Sequence, residues 1–142
     1  MKLTLRLPPS VNHMYINGRI GHRLTRILSK SAKSWFEDAI ITTRVWKQKN
    51  NWQTCQYKTV VKLWYYFPDH RRRDTHNTLK ILLDALEDAG IYVDDKWALP
   101  RIMDFEVDKN NPRVEMEFEI LDEKNKMKKE DENGLLLISR NI

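Results

Sequence analysis

A chain of 142 residues with 41% hydrophobic side chains can close one core and lies near the commonest single-domain size. Its 25 basic against 20 acidic residues leave a net charge of +5, which favours a polyanionic partner through counterion release. The lone Cys55 excludes an internal disulfide and a cysteine-built zinc site, and no apolar run approaches the roughly 20 residues needed to span a bilayer. The opening Met1-Lys2-Leu3-Thr4-Leu5-Arg6-Leu7-Pro8-Pro9 is too short and too interrupted for a signal sequence, so a cytoplasmic protein without a membrane segment is expected.

Leu3, Leu5 and Leu7 alternate with Lys2, Thr4 and Arg6, the period of a strand with one buried face, and Pro8-Pro9 stops it. From Ser10 to Lys30 the chain is polar and turn-prone, with Asn12, His13, Tyr15, Asn17, Gly18, Arg23 and Arg26, and reads as a basic loop. Ala32, Trp35, Phe36, Ala39, Ile40 and Thr43 then recur at spacings of three and four, which predicts a helix over roughly residues 30 to 49. Gln53 to Phe67 is rich in Thr, Val, Tyr and Trp on both alternating faces and suits a long strand ended by Pro68.

A second helical stripe, Leu79, Leu82, Leu83, Leu86 and Ala89, ends at Gly90, where a left-handed cap residue belongs. Ile102 to Val107 and Val114 to Leu121 alternate as strands joined by a turn at Asp108-Lys109-Asn110-Asn111-Pro112. These elements predict one α+β domain over residues 1–121, a mixed β-sheet packed with helices. Residues 122–132 hold nine charged side chains and one apolar one, Met127, so residues 122–142 read as a charged tail with a short apolar end.

The chemistry concentrates between the long strand and the second helix. Arg71-Arg72-Arg73 runs directly into Asp74-Thr75-His76-Asn77, so cations that can grip phosphate oxygens adjoin residues that can hold a metal. If the turn is extended, Asp74 and His76 point to one side. The helix and its return can bring Asp94-Asp95 to the same place, giving Asp74, His76, Asp94 and Asp95 as candidate metal ligands. Lys80, one turn after Asn77 and one before Asp84, either stabilises charge developing on a phosphate or forms an exposed ion pair with Asp84. Arg71, Arg72, Arg73 and Asn77, with Asn12, Tyr15, Arg23 and Lys30 upstream, are candidate DNA contacts. Trp97 is a weaker candidate for stacking on an unpaired base.

Leu7-Pro8-Pro9-Ser10-Val11-Asn12-His13-Met14-Tyr15, then Pro68-Asp69, Arg71-Arg72-Arg73-Asp74-x-His76-Asn77-x-x-Lys80, Asp84-Ala85-Leu86, Ala89-Gly90 and Asp94-Asp95 form a linked series. In order and spacing it resembles the RusA family of Holliday junction resolvases, small endonucleases of bacteria, phages and prophages, over roughly residues 3 to 121. The resemblance implies a homodimer that uses Mg2+ or Mn2+ to cut two opposing strands of a four-way DNA junction. Asp74 and Asp95 match the family's acidic ligands and Lys80 its catalytic lysine. The junction's approximate two-fold symmetry fits two active sites related by a two-fold axis. The rival readings are a junction-binding protein that does not cut, and a phosphoryl-transfer enzyme acting on a nucleotide or RNA.

His76 departs from the family pattern, which has aspartate at that position. Imidazole suits manganese better than magnesium. Relative to a His76→Asp variant, the wild type is therefore expected to favour manganese and to lose activity as the imidazole takes up a proton. Rates measured in both metals across pH check this, and identical profiles for the two proteins defeat it.

Overall fold

The computed structural model describes residues 1–9, 15–21, 23–71 and 75–121, with the backbone alone at Tyr15, Ile20, Leu24, Thr25 and Arg26. Asn12, Arg72, Arg73, Asp74 and the tail after Leu121 therefore lie outside the described residues. Among the described residues, six strands and two α-helices follow in the order β1 (Leu3–Leu5), β2 (Tyr15–Ile20), β3 (Arg23–Leu28), α1 (Lys30–Lys49), β4 (Thr59–Phe67), α2 (Leu79–Asp88), β5 (Ala98–Val107) and β6 (Arg113–Ile120). Short 3₁₀ helices at Thr75–Thr78 and Asp95–Trp97 flank α2 and β5.

The main sheet has the order β1-β6-β4-β5. β4 and β5 run parallel, and β6 is antiparallel to both β4 and β1, so the sheet is mixed and the domain is α+β. β4, α2 and β5 form a crossover unit, since parallel neighbours need a long connection and a helix supplies it. β5 and β6 are consecutive but not hairpin partners, because β4 lies between them. The 108–112 connection instead passes over the end of β4, where the Asp108 N–H donates to the Phe67 carbonyl at 2.7 Å.

The core joins one face of the sheet to the helices. Leu3, Leu5, Val61, Leu63, Tyr65, Val114 and Met116 meet Ala32, Trp35 and Ala39 of α1 and Ile81, Leu82, Ala85 and Leu86 of α2. The Ser29 hydroxyl caps α1 by accepting from the Ala32 N–H at 3.2 Å, and the predicted bounds of that helix hold. Cys55 is buried among these residues, as a small core thiol should be.

The stretch read as a basic loop contains an antiparallel hairpin of β2 and β3, with Tyr15 opposite Leu28 and Ile20 opposite Arg23. Gly21, at φ 64°, occupies the turn. The hairpin forms its own two-stranded sheet, and Ile16 and Ile27, opposite each other across it, are exposed, so an apolar residue there does not mark a buried face.

Leu82 is fully buried at the centre of the α2 contact with the core. Leu82→Ala is expected to lower unfolding free energy by about 2–5 kcal/mol through lost burial and the cavity left behind, measured by denaturant titration.

Candidate active site

α2 buries Ile81, Leu82, Ala85 and Leu86, which leaves Lys80, Asp84 and Glu87, spaced by four and three, along a polar ridge. The helix ends in a Schellman closure. Gly90, at φ 87°, donates its N–H to the Glu87 carbonyl and Ile91 donates to the Leu86 carbonyl, both at 2.9 Å. The returning strand-like segment is then fixed. Cys55 bridges to Tyr92, the Trp52 indole donates to the Ile91 carbonyl at 2.9 Å, and the buried Tyr92 hydroxyl donates to the Leu83 carbonyl at 2.7 Å. Burial, with Asp95, Glu87 and Asp84 nearby, raises the Tyr92 phenol above its ordinary value, so it remains a neutral donor.

This closure carries Asp94 and Asp95 back onto the α2 ridge. Asp94 caps the following 3₁₀ helix by accepting from the Lys96 N–H at 2.9 Å. The Asp95 N–H donates to the Glu87 carboxylate at 2.6 Å, while the Asp95 carboxylate accepts from Lys80 Nζ at 2.9 Å. Lys80 Nζ also donates to Asp84 at 2.8 Å. The i, i+4 pair with Asp84 is thus present, and the same ammonium also reaches the acid fifteen residues on. Hydrogen bonds to Asp84 and then Asp95 hold the Lys80 ammonium above the ordinary lysine value, and the Lys80 bond holds the Asp95 carboxyl below the ordinary carboxylate value. Lys80 stays charged and Asp95 ionised throughout the neutral range.

Carboxylate oxygens of Glu87, Asp94 and Asp95 lie within 4.8 Å of one another, all on half-buried side chains. Hard oxygen donors so grouped suit a hard divalent cation. Glu87 was not among the residues singled out from sequence. The available signal was its place on the Lys80–Asp84 face and an acid in a last helical turn that lacks a base.

His76 sits exposed in the 3₁₀ helix rather than in an extended segment, and it is not part of the described carboxylate group. The alternation argued for Asp74 and His76 therefore does not apply at His76, where the chain is already turning into α2; Asp74 itself lies outside the described residues. Tyr65 ties this entry turn to the sheet, its hydroxyl lying 2.8 Å from the Thr78 hydroxyl and donating to the Thr75 carbonyl at 3.3 Å.

Of the candidate DNA contacts, Arg71, Asn77, Arg23 and Lys30 are exposed. Arg71 is turned by Asp69, which accepts its N–H at 3.0 Å, and the two residues line an open depression with Phe67, His70, Phe105 and Val107. Asn12, Arg72 and Arg73 lie outside the described residues, and Tyr15 is placed by its backbone alone. Trp97 is half-buried, and its ring packs at a tilt 5.5 Å from that of Tyr57.

The family model for endodeoxyribonuclease RusA matches residues 7–119. The chain belongs to the RusA family. No curated protein matches it. The match runs from the segment before the hairpin to the end of β6, and so contains the crossover unit, the α2 ridge and the Asp94–Asp95 turn. RusA-family membership makes the protein an endodeoxyribonuclease of the Holliday junction resolvase type, with branched DNA as its substrate. Among the described residues no helix is long and apolar enough to cross a membrane.

The Lys80–Asp95 bond has a titration consequence. A depressed carboxyl contributes stability that is present above its unfolded value and is lost as pH falls through its folded value. In Lys80→Met, Asp95 is expected to titrate at higher pH, nearer an ordinary carboxylate, and the acid limb of stability to flatten accordingly. Carbon-detected NMR titration of Asp95 checks this; an unmoved midpoint contradicts the bond.

Proposed function

We propose that this RusA-family protein is a metal-dependent homodimer that resolves four-way DNA junctions by paired symmetric nicks, acting in DNA recombination and repair in the bacterial cytoplasm. The observation that carries the reading is the Lys80 ammonium held between Asp84 and Asp95 beside grouped carboxylates, inside the RusA match.

Asp74 and Asp95 would hold the cation, either Mg2+ or Mn2+, with Asp94 and His76 as further ligands. When bound, it neutralises the scissile phosphate and activates water for attack. The remaining work belongs to the chain's own groups. An ammonium has three N–H donors, and Asp84 and Asp95 take two from Lys80, so a third can meet a phosphate oxygen as charge gathers on it. Arg71, Arg72, Arg73 and Asn77, just before α2, grip the DNA backbone, and Asn12, Tyr15, Arg23 and Lys30 extend that footprint. These contacts orient the strand without reading its sequence.

Two equivalent nicks need two equivalent sites, which a two-fold dimer supplies. The edge strand β5 supports the dimer, since Phe105 and Val107, two residues apart and therefore on one face, are exposed.

The test uses a synthetic four-way junction and a matched linear duplex, with manganese, magnesium or chelator. Wild type is expected to sediment as a dimer and to nick the junction alone, in symmetric pairs and only with metal. Lys80→Ala is expected to slow cutting by about 10²–10³-fold, the usual effect of removing a donor to developing oxyanion charge, and Asp74→Asn and Asp95→Asn to abolish it while junction binding persists. Cutting in chelator, or equal cutting of duplex, overturns the reading.

A further inference from the structure

Glu87 occupies a position that helix energetics disfavour. It lies in the last turn of α2, where the macrodipole repels anions, and that turn holds no base to offset it. Alanine there would favour the helix. Its described partner is a main-chain amide rather than a cation: one Glu87 oxygen accepts the Asp95 N–H at 2.6 Å, eight residues on. That bond spans the closure between α2 and the Asp94–Asp95 turn. Residues that violate a local preference beside a functional group are the ones whose purpose lies in that group.

We infer that Glu87 is a positioning residue for Asp95. The inference rests on the reading that Asp95 serves the reacting phosphate. Lys80 holds the Asp95 side chain from one end of the α2 ridge and Glu87 holds its backbone from the other. A main-chain bond fixes the origin of the side chain and the side-chain bond fixes its direction, so the carboxylate has one place to stand. Without Glu87 the Asp95 amide loses its acceptor, and the direction of the carboxylate rests on an exposed lysine alone. Glu87 acts through Asp95, and its loss should affect cutting and cation affinity without affecting grip on DNA.

The test compares wild type, Glu87→Ala and Glu87→Gln as full-length chains. Five quantities are read: hydrogen exchange of the Asp95 amide, calorimetric Mn2+ affinity, single-turnover junction cutting at saturating Mn2+, junction affinity in chelator, and melting temperature. Glutamine keeps an acceptor oxygen and alanine does not. Glu87→Ala is expected to lose protection at the Asp95 amide and to fall by about 10–100-fold in Mn2+ affinity and cutting, the range seen when the support of a ligand is removed. Glu87→Gln is expected to recover protection and to cut within about threefold of wild type, as a retained hydrogen bond should allow. Junction affinity is expected to be equal in all three, and the Glu87→Ala melting temperature no lower than that of wild type. A cutting wild type matched by Glu87→Ala, or a Glu87→Gln as slow as Glu87→Ala, overturns the positioning role alone. A wild type that neither binds Mn2+ nor cuts, while Asp95 protection still depends on Glu87, overturns the nuclease reading and with it the residue's purpose.

Discussion

The site is centred on one contact, the bond from Lys80 to Asp95. It joins residues fifteen apart in the chain and lies on the surface, where an ion pair contributes at most about 1 kcal/mol. Such a pair cannot hold a fold together. The dependence runs the other way: the Schellman closure at Gly90, the bridge from Cys55 to Tyr92 and the buried Tyr92 hydroxyl are all needed before the carboxylate meets the ammonium. A core of fixed geometry is thus converted into a fixed distance between two charges.

The crossover sets where Lys80 meets its acids. α2 runs back between the end of β4 and the start of β5, and the chain after Gly90 returns along it, so the Asp95 carboxylate meets Lys80 of the first helical turn. Lys80 and Glu87 are seven residues apart, a rise of about 10 Å along the axis. The Lys80 ammonium meets Asp84 one turn on and Asp95 in the returning segment, and Glu87 meets the Asp95 amide from the last turn. Tyr65 anchors the entry end through Thr75 and Thr78, and Tyr92 anchors the exit end through Leu83. Both tyrosines are buried, so each end of α2 is tied by a hydroxyl withdrawn from solvent.

How much of this could be read from the chain follows from what kind of signal each part leaves. α1 and α2 were legible because Trp35, Ala39, Leu82 and Leu86 recur with the period of a buried helical stripe. β4 was legible from residues apolar on both faces. Its position between β5 and β6 was not, since neighbours in a sheet are chosen by long-range packing and the 108–112 turn looks the same whether or not its strands pair. The β2–β3 hairpin escaped because its paired Ile16 and Ile27 are exposed and follow no core-facing alternation. In the site, Lys80, Asp94 and Asp95 stood out by type and spacing. Glu87 did not, because its role is to accept a main-chain N–H, and any residue may supply one.

Crowding is the remaining physical problem of such a site, since like charges within 4.8 Å repel and ordinarily raise one another's affinity for protons. The fold answers it acid by acid. Asp94 accepts the Lys96 N–H, Glu87 accepts the Asp95 N–H, and Asp95 accepts the Lys80 ammonium. Each carboxylate therefore has one oxygen engaged by a donor, which limits its freedom to turn away from the others. The repulsion is borne by the folded protein before any substrate arrives, so charge entering the site meets groups already oriented and has little reorganisation left to drive.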